Sequence, residues 1–74
     1  MILFWVVKDS GEWHVRREQE RRSEACFGTR GDAVAWACRV ARRKAPSQVA
    51  IRDESGNVIG QFEFTKEKLV VAAP

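Results

Sequence analysis

The sequence predicts a two-layer α+β domain: one helix packed on an antiparallel sheet of four to five strands, in the order β-β-(β)-α-β-β. Three observations lead there. Residues 2–18 and 47–64 are rich in β-branched, aromatic or alternating residues, and each stretch is broken by an acid-Ser-Gly triplet, so each reads as a hairpin. Between them, residues 30–44 carry apolar side chains at helical spacing. The length, 74 residues, allows one domain with a small core, since a chain of this size buries only about 60% of its unfolded surface.

The first strand is "ILFWVVK" (2–8) and the second "EWHVRRE" (12–18). Asp9-Ser10-Gly11 fits a three-residue loop with Gly11 in the left-handed region. That loop pairs Lys8 with Glu12, Val7 with Trp13 and Trp5 with Val15. The expected core face is then Leu3, Trp5, Val7, Trp13 and Val15, leaving Ile2, Phe4 and Val6 beside His14 and Arg16. Strand one is apolar on both sides. It is either central and covered twice, or it offers an apolar patch to a partner.

"QERRSE" (19–24) is a polar loop and "ACF" (25–27) a short third strand. Thr29 is the expected N-cap, with Asp32 in the acid position of a capping box and on the positive end of the helix dipole. The helix runs from about Arg30 to Lys44 and stops before Pro46, which disfavours helical geometry at Ala45. Ala33, Trp36, Ala37, Val40 and Ala41 form its buried stripe, with Arg39, Arg42 and Arg43 on the far side. The second hairpin, 47–53 and 57–64, turns at Glu54-Ser55-Gly56. Residues 1–64 make the domain. Residues 65–74, containing Leu69, Val70 and Val71, are an extra strand or a tail. The expected core is Trp5, Val7, Trp13, Val15, Trp36, Ala37, Val40, Ile51 and one or both of Phe62 and Phe64.

The hairpin "FWVVKDSGEWHVRRE", the T-x-x-x-A helix start with alanines at helical spacing, and "VAIRDESGNVI" together resemble the short bacterial proteins of domain-of-unknown-function family 2188. The resemblance covers roughly Phe4 to Ile59. It rests on Val6, Gly11, Trp13, Val15, Phe27, Thr29, Ala33, Ala37, Ala41, Val49, Ile51, Gly56 and Ile59, each of which has a reason in the fold. This chain departs from the pattern in an arginine-richer helix end and in Arg52, where a histidine is common. The resemblance implies the fold and a bacterial cytosolic setting, and no mechanism.

Composition narrows the function classes. The chain is 45% hydrophobic and 31% charged, which is globular. No apolar run approaches the ~20 residues of a membrane helix. "MILFWVVKD" lacks the basic start of a signal peptide. With no export signal, Cys26 and Cys38 are expected as reduced cytoplasmic thiols packed like small apolar residues. Catalysis by a nucleophile needs a base and a group that orients it, and no such signature surrounds His14, the single histidine. His14, Cys26 and Cys38 lack the paired spacing of zinc ligands. No glycine-rich phosphate loop is present. We therefore expect no enzyme, no metal, no cofactor, no small-molecule substrate and no membrane partner.

Two expectations remain. The first is a non-enzymatic binding or interaction module that associates with itself as a homodimer, through a sheet edge, the Ile2, Phe4 and Val6 face, or the Leu69, Val70 and Val71 segment. The alternative is sequence-independent nucleic-acid binding through Arg39, Arg42, Arg43 and Lys44, joined by Arg16 or Arg22. Of the aromatics on the non-core face, Phe4 is the one placed to stack beside Arg16. The cations at the helix end are also stabilised by the dipole without any ligand.

Overall fold

The structure, a computed structural model, describes residues 1–66 and the backbone of 69–72. Its elements are β1 (Ile2–Asp9), β2 (Glu12–Arg17), β3 (Ala25–Phe27), α1 (Arg30–Arg43), β4 (Ser47–Arg52), β5 (Val58–Phe64) and β6 (Leu69–Ala72). The six strands form one sheet in the order β3-β2-β1-β4-β5-β6, and α1 packs on one face of it. The architecture is the two-layer α+β arrangement read from the sequence.

The first hairpin differs from its expected register by one residue. Its loop has two residues, Ser10 at φ 55° and Gly11 at φ 82°, because successive positive φ values match the right-handed twist of the strands. Asp9 therefore pairs with Glu12, Lys8 with Trp13 and Val6 with Val15. A one-residue slip moves every β1 side chain to the other face. Phe4 and Val6 are fully buried under the helix, and Ile2 packs against that core. Leu3, Trp5 and Val7 lie on the helix-free face. The expected core positions of Trp5 and Val7, and the expected outward face of Ile2, Phe4 and Val6, are both corrected by this turn. Ser10 is the one non-glycine residue with positive φ among those described. Asn tolerates that region better, so Ser10→Asn should raise the stability by about 0.5 kcal/mol. A urea midpoint that did not rise would show that the turn carries no strain there.

The helix follows its sequence signals closely. The Thr29 hydroxyl accepts from the Asp32 amide at 3.2 Å, and α1 ends at Lys44, whose N–H donates to the Ala41 carbonyl at 3.0 Å. The buried Ser47 hydroxyl donates to that same carbonyl, a second donor at a helix end where the usual i→i+4 bond is missing. Ala33, Ala37 and Ala41 are fully buried. Trp36 and Val40 are half-buried beside that line, with the Trp36 ring 6.1 Å from Phe27. Alanine has almost no side chain to separate the layers. The helix therefore lies close on Phe4, Val6, Val15, Val49, Ile51 and Phe64.

The sheet is mixed rather than wholly antiparallel, because β1 and β4 pair in parallel, from Ile2 opposite Ser47 to Val6 opposite Ile51. A parallel pair needs a crossover, and β2, β3 and α1 together supply it. A doubly apolar β1 suits this central position, although the helix covers only one of its faces. In the second hairpin, the Asp53 carboxylate accepts from the amides of Ser55 and Asn57, each at 2.9 Å, and Gly56 takes φ 86°. A bulge between Ile51 and Arg52 sets Arg52 opposite Val58. The segment left open as strand or tail is a strand: β6 pairs antiparallel with β5, Leu69 opposite Phe64. Residues 67, 68, 73 and 74 of the expected 65–74 tail lie outside the described residues.

Candidate binding surfaces of the sheet and helix

A single helix leaves one sheet face bare. Strand alternation places Leu3, Trp5, Val7, Ala50 and Val58 there, with His14, Arg16, Cys26 and Arg52 around them. Leu3, Trp5 and Val7 are half-buried and Ala50 is closed off, so their neighbours already screen part of this apolar strip. The guanidinium of Arg52 stacks 4.0 Å from the centre of the Trp5 ring. Arg16, directly across from Trp5, donates to Asp9 at 3.0 Å and to the Ser23 hydroxyl at 3.3 Å. The hollow between Trp5, Val7, Arg16 and Arg52 holds about 180 Å³ and is open to solvent. That is below the ~300 Å³ at which small-molecule sites begin. The aromatic on the helix-free face is thus the half-buried Trp5. Phe4 lies in the core, with Arg17 over its ring at 5.5 Å.

Asp9 is exposed, and its carboxyl is held below the ordinary carboxylate range, first by the hydrogen bond from Arg16 and then by that from Ser10. The sign follows. A carboxyl depressed in the folded state contributes stability above its unfolded value and loses it as pH falls through the folded value. Asp9→Asn should therefore flatten the acid limb of the stability profile below about pH 4, the usual aspartate range, and lower the plateau above it while leaving that plateau's shape unchanged. Urea midpoints between pH 2.5 and 7 measure it; identical acid limbs would refute the coupling.

The second surface is the outer side of α1. Arg39, Arg42, Arg43 and Lys44 are all exposed, and among the described residues none of the four forms an ion pair. Arg42 lays its guanidinium 5.8 Å from the Phe64 ring, so it also caps the rim of the core. Residues 30–44 hold five cations and one carboxylate, a net +4, whereas the whole chain is +3. The other residues together are therefore slightly negative. Arg22 is exposed in the 18–24 loop, at the end of the sheet where α1 terminates. Arg16 does not join them. It lies on the opposite face, bound to Asp9 and Ser23.

A third feature combines residues that the sequence spacing kept apart. In the β2–β3 pairing, His14 stands opposite Cys26. The Cys26 sulfur is 3.2 Å from His14 Nδ1, and the Ser23 hydroxyl is 2.6 Å from the same nitrogen. Cys26 is exposed rather than packed, whereas Cys38 is half-buried, where burial pushes its thiol up against the weaker pull of Arg42. Alternation could have shown this: Cys26 sits between inward-facing Ala25 and Phe27, hence outward beside His14. No group of three or more His, Cys, Asp or Glu side chains able to hold a metal occurs among the described residues. The Leu69, Val70 and Val71 side chains, expected in self-association, lie outside the described residues.

Among the described residues, no helix is long and apolar enough to cross a membrane. No curated protein and no solved structure matches the chain. The family comparison does match, from residue 4 to residue 63. That span runs from the core residue Phe4 of β1 to Glu63 beside the core residue Phe64 of β5. It takes in both hairpin turns, the capped helix, the His14 and Cys26 pair and, apart from Leu3, the helix-free strip described above. The chain belongs to the family described as uncharacterized protein conserved in bacteria (DUF2188).

Proposed function

We propose that this protein is a small non-enzymatic interaction module that forms a homodimer through the helix-free face of its sheet. One observation carries the reading: the sheet is covered by a helix on one side only, while Leu3, Trp5, Val7 and Val58 crowd the other. Six strands at about 4.8 Å spacing give a face about 24 Å wide. With four strands of six to eight residues and edge strands β3 and β6 of three and four, such a face offers on the order of 500 Å², the scale of the smaller specific interfaces. Two sheets packed face to face lie about 10 Å apart, enough to bury Trp5 and Val7 from both copies. Arg16 and Arg52, with Asp9 and Glu63 elsewhere on the same face, supply charges of both signs for a two-fold contact. Sedimentation equilibrium at tens of micromolar tests this. The intact chain should weigh about twice its 8.4 kDa, and Trp5→Glu should weigh 8.4 kDa. A monomeric intact chain, or a dimer that survives Trp5→Glu, overturns the proposal. Loss of the dimer only on deleting residues 66–74 would move the interface to the β6 edge.

The concentration of charge on α1 supports a second reading, nucleic-acid binding without sequence preference. Phosphate contacts by Arg39, Arg42, Arg43 and Lys44 predict a log–log salt slope of about −3 to −4 on duplex DNA, at about −0.9 per phosphate. Each Arg→Ala should reduce that slope by about one. Absence of binding at low salt, or binding untouched by Arg39→Ala with Arg42→Ala, would reject it.

A further inference from the structure

We propose that Cys26 is a modification site, a thiol primed by His14 for exchange with low-molecular-weight disulfides. The two side chains meet on the free face of the outermost strand pair, with Sγ and Nδ1 3.2 Å apart and Cys26 exposed. β3 is an edge strand of three residues, separated from β1 by β2 and so outside the Leu3, Trp5, Val7 and Val58 strip of the proposed dimer, and a reagent reaches the sulfur without moving the fold.

The neighbours fix the proton arrangement. Arg16 Nε donates to the Ser23 hydroxyl at 3.3 Å, which leaves that hydroxyl's own proton to point at His14 Nδ1, 2.6 Å away. Nδ1 is then an acceptor, and the imidazole carries its hydrogen on Nε2. An accepting Nδ1 beside a thiol is the geometry of a base poised for a nucleophile. On this face the charged groups near the pair are Arg16 and Glu12 on β2 and Asp9 on β1. Asp9 is committed to Arg16 at 3.0 Å.

The step balances without a further reactant. As the Ser23 hydroxyl turns its hydrogen away from Nδ1, the Cys26 thiol proton passes to that nitrogen's single lone pair, and the thiolate attacks one sulfur of the small disulfide. A new Sγ–S bond forms as the reagent's S–S bond breaks. The departing thiolate takes the proton back from His14 and leaves as a thiol. Cys26 is oxidised to a mixed disulfide and half of the reagent is reduced. In-line attack on sulfur needs only an open approach.

Cys38 is the internal control, half-buried on α1 with its thiol pushed up by burial. The intact chain is incubated with glutathione disulfide at pH 7, and modification is followed by peptide mass mapping. Cys26 should react at least about tenfold faster than Cys38, and His14→Ala should slow Cys26 by about tenfold or more, less than the ~10²–10⁴-fold a positioned base supplies in an enclosed active site. At pH 9.5 the variant should match the wild type, because solvent hydroxide then removes the thiol proton in place of His14. His14→Gln, closer in size, should behave like His14→Ala. Circular dichroism confirms that both variants are folded. Equal rates at the two cysteines overturn the proposal. So does a folded His14→Gln variant that keeps the wild-type rate at pH 7, or a deficit that persists unchanged at pH 9.5.

Discussion

Phe4→Ala is expected to cost about 3–5 kcal/mol of folding stability, whereas Trp5→Ala, one residue on, should cost about 1 kcal/mol. The contrast runs against residue size, since tryptophan is the larger side chain. It follows from the register of the first hairpin. Phe4 is fully buried between α1 and the sheet, among Val6, Val49 and Phe64, so truncation leaves a cavity that rigid neighbours cannot fill. Trp5 is half-buried on the other face and loses mainly its stacking with Arg52. A domain of this length holds roughly 4–11 kcal/mol in total, so Phe4→Ala removes a large share of it. Urea unfolding followed by circular dichroism reads both values. Equal losses, or a larger loss for Trp5→Ala, would mean that β1 presents its other face to the helix. The same pair separates stability from association, because Trp5→Ala should weaken the proposed dimer while the fold persists.

Ala37→Leu is expected to lower stability by about 1–3 kcal/mol, although leucine is both more apolar and a good helix former. Ala37 is the middle of three fully buried alanines that bring α1 close to the sheet. A leucine there has no volume to enter and must push the layers apart or leave its preferred rotamers. Ala35 is the control, exposed on the same helix, where Ala35→Leu should change stability by less than about 0.5 kcal/mol. A neutral or stabilising Ala37→Leu, measured by urea midpoint, would show a gap between the layers that close packing denies.

Both predictions rest on details of unequal visibility in the sequence. The alanine stripe was legible because a helix shows its buried face through spacing alone, and Ala33, Ala37 and Ala41 repeat every four residues. Trp36 was overrated within that pattern. A side chain so large, set to one side of the closest approach, packs against Phe27 at the rim. The candidate surfaces were legible only in part. The exposed cations of α1 follow from the same helical spacing, while Arg16 was grouped with them through its charge although strand alternation turns it to the opposite layer.

Both hairpins, the Thr29 cap, the helix end before Pro46, the turn glycines and the family are all legible in the sequence. These signals are local, arising from φ preferences, capping hydrogen bonds and periodicity within a few residues. Tertiary structure decided which face of β1 looks inward. A strand apolar on both sides carries no alternation to reveal it, and the choice passed to the dihedrals of Ser10 and Gly11, which shortened the loop by one residue. It also decided that β4 lies parallel beside β1, since a crossover through β3 and α1 can return the chain beside more than one strand. The meeting of His14 with Cys26 belongs to the same class. Twelve residues separate them in the chain, and only the antiparallel pairing of β2 with β3 brings the imidazole and the thiol side by side.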